Sequence, residues 1–190
     1  MFSQILTLVV GSLVDLFCLV LLVRFVLQWA RASFRNPVGH FVIAVTDWAV
    51  RPVRKVVPGL FGLDLASLLL AWLGQFAWLA LAVALAGAMD AASPAAIGAL
   101  ALAAVVEVAR LALYLAMGVV IVAALLSWIN PHAPLAPLFN ALARPLLRPF
   151  QRLIPPIGGV DLSPLALLLL LQVLLIVLGS LRFGLLPGLL

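Results

Sequence analysis

The chain has 190 residues, of which 67% are hydrophobic and only 9% charged, and its mean hydropathy is +1.34. Soluble globular chains carry about 25% charged and about 45–50% apolar residues, so a water-soluble enzyme fold is excluded and lipid is the solvent. The net charge of +5 is compatible with nucleic acid or with an anionic membrane surface, and the placement of the charges favours the membrane.

Four stretches reach the length of about 20 apolar residues that a hydrocarbon core demands. They are roughly Ile5–Leu27, Leu65–Ala88, Ala99–Trp128 and Pro164–Leu181. The first has no Lys or Arg in residues 1–14 and exceeds the length of a signal peptide's apolar region, so it reads as a retained span. Asp15 lies 14 residues before Trp29, about 20 Å along a continuous helix. An ionisable group at that depth is a functional candidate by default. Arg24 sits only five residues from Trp29, within reach of the inner headgroups if its side chain snorkels. The single cysteine, Cys18, excludes a disulfide framework, a multi-thiolate metal site and haem attachment.

Between the first two spans, Phe41, Val45 and Trp48 recur at helical spacing, and His40, Asp47, Arg51 and Arg54 recur on another side. That pattern predicts an amphipathic helix lying in the headgroup plane, its basic face turned to lipid phosphates or cytoplasm. The turn Val57–Asp64 re-enters the membrane, with Asp64 placed to cap the second span through its carboxylate. That span carries Gln75, and the short connection from Asp90 to Pro94 has no basic residue.

The third span is long and contains Glu107 and Arg110, three apart and expected to pair at the outer face. Its first part, Ala99–Val106, either projects beyond that face or tilts. The second loop places Asn140, Arg144, Arg148 and Gln151 at helical spacing, and Pro145 and Pro149 are expected to break that helix into shorter pieces. After the turn Ile154–Asp161, either Asp161 or Ser163 is expected to cap the last span, since Pro164 suits a first helical position. Gln172 lies inside that span.

Eight of the eleven Lys and Arg residues fall in the two loops: Arg31, Arg35, Arg51, Arg54, Lys55, Arg144, Arg148 and Arg152. The positive-inside rule then makes both basic loops cytoplasmic and turns both termini outward, with Arg182 a lone exception. The two halves also resemble each other. Shifted by 97 positions, Arg51–Gln75 overlies Arg148–Gln172 without a gap, and ten of 25 columns are identical. Among them are Arg51/Arg148, Pro52/Pro149, Pro58/Pro155, Gly62/Gly159, Asp64/Asp161 and Gln75/Gln172. Trp29 with Asn36-Pro37 echoes Trp128 with Asn130-Pro131, after a five-residue difference in spacing. The expected fold class is therefore an all-α membrane protein of about four transmembrane helices. They form two tandem parallel hairpin repeats, 1–95 and 96–190, each with an interfacial cytoplasmic segment.

The runs Thr46–Pro58 and Arg144–Pro164, with Gly158-Gly159-Val-Asp161-Leu-Ser163-Pro164 in the second, resemble the YggT family, and Asn36-Pro37 and Asn130-Pro131 fit it too. The first copy departs, with Asp64-Leu-Ala-Ser67 where the family prefers Asp-Leu-Ser-Pro. The resemblance implies a small integral protein of bacterial inner membranes or plastids. It also implies loose links to osmotic tolerance, to division or nucleoid organisation, and to cytochrome assembly, with no established catalytic activity.

Several readings of the polar residues compete. The basic clusters Arg51, Arg54, Lys55 and Arg144, Arg148, Arg152 either set topology alone, form a docking surface for partners or anionic lipid, or line a permeation vestibule. Asp15 either bonds Gln75, Gln172 or Tyr114 across helices, lines a polar pathway or faces a partner. Asp64 and Asp161 either serve as turns and caps or form a polar site between the repeats beside Arg54 and Arg152. His40 and His132 lack companion ligands at metal spacing. The expectation is a non-catalytic scaffold or assembly factor without cofactor. Its partners are membrane lipids, other membrane or division proteins and further copies of itself, and it makes no direct contact with nucleic acid. The alternative is a small oligomeric channel.

Overall fold

The computed structural model describes residues 2–32, 34–57, 59, 63–87, 93–154 and 161–185, with the side chains of residues 2 and 3 left aside. Pro58, Gly62, Asp90, Pro155, Gly158 and Gly159 lie outside the described residues. Six helices follow in order: α1 (Phe2–Trp29), α2 (Pro37–Arg54), α3 (Leu65–Ala86), α4 (Pro94–Ile129), α5 (Ala136–Leu153) and α6 (Ser163–Leu185). Four of them, α1, α3, α4 and α6, are long and apolar enough to cross a membrane.

Local chemistry explains where the helices start and stop. α1 ends through a left-handed turn at Arg31 (φ 50°), with the Ala32 amide donating 2.9 Å back to the Leu27 carbonyl. Asn36 caps α2, accepting from the Gly39 amide at 2.8 Å, and Pro37 takes a first-turn position that needs no amide. Asp64 caps α3 as expected, accepting from the Ser67 amide. Ser93 caps α4, accepting from the Ala96 amide at 3.2 Å. At α6 it is Asp161 that takes the capping role, accepting from the Ser163 amide at 2.8 Å.

Asn130 does not repeat what Asn36 does. It follows α4 directly, and α5 begins later, at Ala136, without a side-chain cap. The cause is spacing: Asn130 comes two residues after Trp128, whereas Asn36 comes seven after Trp29.

α1 packs on α2 and α3, and α2 on α3. α4 packs on α5 and α6, and α5 on α6. α4 also packs on α1 and α3, so it lies against helices from both ends of the chain. At 36 residues it is about 54 Å long, well beyond a hydrocarbon core. Its early turns are sheathed by the second half of α3, where Leu100, Ala103 and Ala104 meet Leu79 and Val83.

Two expectations about the surface helices need correction. α2 is a helix, but it buries Gly39, Val42, Thr46, Ala49 and Val50 against the protein, while Phe41 and Trp48 stay exposed. Its apolar surface is therefore two-sided: small and β-branched residues face the spans, and large rings face outward. The Trp48 ring lies 5.8 Å from that of Phe17 on α1.

The second correction concerns proline. α5 runs unbroken through Pro145 and Pro149, as α2 does through Pro52. A proline deprives the carbonyl four residues earlier of its donor. In α5 those carbonyls belong to Ala141 and Pro145, and both residues are exposed, where water or headgroups can donate instead.

Candidate functional site

The polar side chains gather at three places. The first is a buried ion network where α1, α2 and α3 meet. Arg24 does not snorkel outward. It is 5% exposed and points into the protein, donating to Thr46 Oγ1 at 2.8 Å and pairing with Asp47 at 3.0 Å and Asp64 at 3.2 Å. The reason lies in charge: α2 and the start of α3 supply two carboxylates at the height of Arg24, and the backbone around them is already helical. Arg54 closes the network, pairing with Asp64 at 2.6 Å and donating to Gln28 Oε1 at 3.2 Å. Ser67 Oγ donates to Asp64 at 2.7 Å, and Arg51 holds the other Asp47 oxygen at 2.7 Å.

Burial pushes the Asp64 carboxyl up, but hydrogen bonds from Arg54 and Ser67 and the Arg54 charge outweigh it and hold the group below the ordinary carboxylate value of 3.8. Paired charges buried this way stabilise little over an apolar core, yet removing one partner strands the other and costs about 3–5 kcal/mol.

The second place is the corresponding corner of α5 and α6. Gln151 donates to Asp161 at 2.9 Å, across the same ten-residue separation as Arg54 and Asp64. Gln151 stands 97 positions after Arg54, so the same contact recurs with an amide in place of a cation. Burial raises the Asp161 carboxyl, and bonds from Ser163 and Gln151 more than compensate, leaving it low. Asp64 and Asp161 are thus each held by their own neighbours. Among the described residues Arg152 makes no bond to Asp161, and no polar site joins the two carboxylates.

The consequence for the basic clusters is a division. Arg51 and Arg54 are engaged by Asp47 and Asp64. Arg144, Arg148 and Arg152 are exposed and, among the described residues, have no carboxylate partner. Lys55 is likewise exposed. Arg144 and Arg148 line a cleft of 460 Å³ with Trp29, Ala30, Ala141 and Pro145, between the end of α1 and the middle of α5.

The third place lies along the spans. Gln75 is buried and donates to Asp15 at 2.8 Å, one of the three cross-helix contacts open to Asp15 from the sequence. Asp15 nevertheless remains exposed at the surface of the chain, as does Gln172 on α6, and Tyr114 is 50% exposed. Arg110 pairs with Glu107 at 3.0 Å as expected, and Arg182 joins them, 2.6 Å from Glu107. Arg182 is thus the second cation on the buried Glu107 carboxylate. Helical rise carries the signal for it: Glu107 stands 21 residues before Trp128 and Arg182 19 residues after Ser163, so both reach the same height.

With this arrangement in place, comparison with known proteins is decisive. The family described as CCB3/YggT matches residues 3–85 and 102–182. The chain belongs to the CCB3/YggT family. An uncharacterized protein of Pseudomonas aeruginosa is 36% identical over 166 residues, covering 86% of this chain and 83% of its own length. The Escherichia coli K12 protein YggT, also uncharacterized, is 34% identical over 169 residues, covering 88% and 86%. An uncharacterized Haemophilus influenzae protein is 31% identical over 167 residues, covering 85% and 84%. No solved structure gives a significant match to the chain. The family and its spanning helices make this an integral membrane protein.

Proposed function

We propose that this family member is a non-catalytic scaffold or assembly factor of the bacterial cytoplasmic membrane. In this reading α1–α3 and α4–α6 are two parallel repeats, both basic helices face the cytoplasm and both termini face outward. The packing supports the repeats, because α2 sits on α1 and α3 as α5 sits on α4 and α6. The recurrent carboxylate contact at Asp64 and Asp161 supports them too.

The observation that carries the scaffold reading is the contrast between the two basic helices. Arg51 and Arg54 are paired with Asp47 on α2 and Asp64 at the start of α3, whereas Arg144, Arg148 and Arg152 on α5 are exposed and have no carboxylate partner among the described residues. Three exposed guanidinium groups on one rigid helix suit an acidic protein surface, steering it and fixing its register. Replacing all three with Gln should abolish co-purification of a stoichiometric partner from native membrane while leaving insertion unchanged. Equal recovery with wild type and variant would remove the main support for the scaffold.

The channel reading rests on one observation, the exposure of Asp15 midway along α1. A chain of four spans needs further copies to enclose a path, and Asp15 would then line it. Reconstituted vesicles decide this: flux lost in Asp15→Asn with the fold intact favours a channel, and flux absent from wild type removes that reading.

A further inference from the structure

Two cavities of opposite character meet at one residue. The basic cleft contains Trp29, Arg144 and Arg148. An apolar cavity of 340 Å³ adjoins it, lined by Phe25, Trp29, Ala112, Ala116, Val119 and Leu142 among others, between α1, α4 and α5. Trp29 belongs to both walls. It ends α1 and is 46% exposed, the situation of an indole at the boundary between hydrocarbon and headgroups.

The chemistry of the cleft is specific. Arg144 and Arg148 stand four apart on one helix, so their guanidinium groups reach the same volume. Each is exposed and lacks a carboxylate partner among the described residues, so both are available to one phosphate, which guanidinium groups bind in a forked geometry. The cleft also offers an acceptor. Pro145 has no amide to give to the Ala141 carbonyl, and Ala141 and Pro145 both line the cleft. Two cations beside an acceptor that lacks its helical donor match a headgroup carrying both an anionic phosphate and hydroxyl donors. The apolar cavity that Trp29 also lines matches an acyl chain attached to it.

We infer that one phosphatidylglycerol molecule binds between α1 and α5, its phosphate on Arg144 and Arg148, its glycerol hydroxyls toward the Ala141 carbonyl, and one acyl chain in the groove beneath Trp29. Charge complementarity selects an anion, and the apolar cavity that shares the Trp29 wall selects a lipid over a free one. The inference shares Arg144 and Arg148 with the scaffold reading but not its outcome, since a chain that keeps this lipid but recruits no protein leaves it intact.

Native mass spectrometry of the full chain, delipidated in detergent and mixed with defined lipids, tests it. The expected result is one phosphatidylglycerol retained per chain, where phosphatidylcholine with the same acyl chains is not. Arg144→Gln with Arg148→Gln should weaken retention about thirtyfold, the effect of two headgroup-facing cations. Ala116→Phe, which fills the groove and leaves every charge in place, should also reduce retention. Leu153→Ala, at an exposed position of the same helix outside both cavities, should retain the lipid as wild type does, and an unchanged circular dichroism spectrum of the double variant shows that α5 still folds. Equal retention of both lipids, or unchanged retention in the double variant, overturns the inference. So does displacement of the lipid by inorganic phosphate with Ala116→Phe without effect, which would mark the cleft as a free-anion site.

Discussion

Individual residues here are held by steric and electrostatic constraints that can be separated by experiment. A methyl group on Gly39 would fall within 2.7 Å of the Phe34 Cα, a backbone atom that cannot step aside. Gly39→Ala should therefore destabilise the chain by about 1–3 kcal/mol, whereas Gly98→Ala, with open space around its added methyl, should not. Thermal denaturation in detergent compares the two. Arg24→Gln removes one cation from a network in which Asp64 keeps Arg54 and Asp47 keeps Arg51, and should cost about 1–3 kcal/mol in the same assay. Asp64 also gives the chain an acid-sensitive anchor. Its carboxyl is lower in the folded chain than the ordinary 3.8, so the unfolded chain binds its proton first. The stabilisation is complete above the ordinary carboxylate range and is lost as pH falls through the folded value. Relative to wild type, Asp64→Asn should show a shallower loss of melting temperature between neutral and strongly acidic pH. An identical slope would mean that Asp64 does not report on the network.

Among the elements, the spans and their caps were legible because hydropathy and helix-start chemistry are local. The expected segments fall within the observed spanning helices to within a few residues at each end, except that α4 starts at Pro94 rather than Ala99. Asp64 and Glu107 with Arg110 were likewise readable from local spacing, whereas for Asp15 the sequence left Gln75, Gln172 and Tyr114 open as partners. What was not legible depends on which helix faces which. The sequence of α2 pairs Phe41, Val45 and Trp48 on one side, but nothing local says that the face carrying Val42, Thr46 and Val50 is the one that meets α1. Sequence alone lets Arg24 snorkel for the same reason, because its carboxylates come from α2 and the start of α3. The prolines of α5 show a rule overridden by geometry: both deprived carbonyls lie on the exposed side, so the helix continues. Replacing Pro145 and Pro149 with Ala should thus leave the helical signal in circular dichroism unchanged. A marked rise in helicity would show that the prolines do interrupt α5.

For the molecule as a whole, topology is the first thing to measure. Cys18 is fully buried, so the native thiol leaves a quiet background for labelling. Cysteines placed at His40 and His132 should react with an impermeant reagent from the cytoplasmic side alone, and one at Ser93 from the opposite side alone. Any other pattern refutes the proposed orientation. The distribution of polar contacts bears on how the molecule holds together. The ion pairs of Arg24, Asp47, Asp64 and Arg54 lie within α1–α3, and those of Glu107, Arg110 and Arg182 within α4–α6. Between the two sets, contacts run through apolar clusters and through the Trp72 indole, which donates to the Ala101 carbonyl at 3.1 Å. In water such apolar contact would be the strong link. In lipid it is the weak one, because acyl chains solvate leucine as well as leucine does. The seam between α1–α3 and α4–α6 is therefore where the surrounding bilayer competes with the protein on equal terms, and where membrane thickness and lipid composition set how closely the two sets sit.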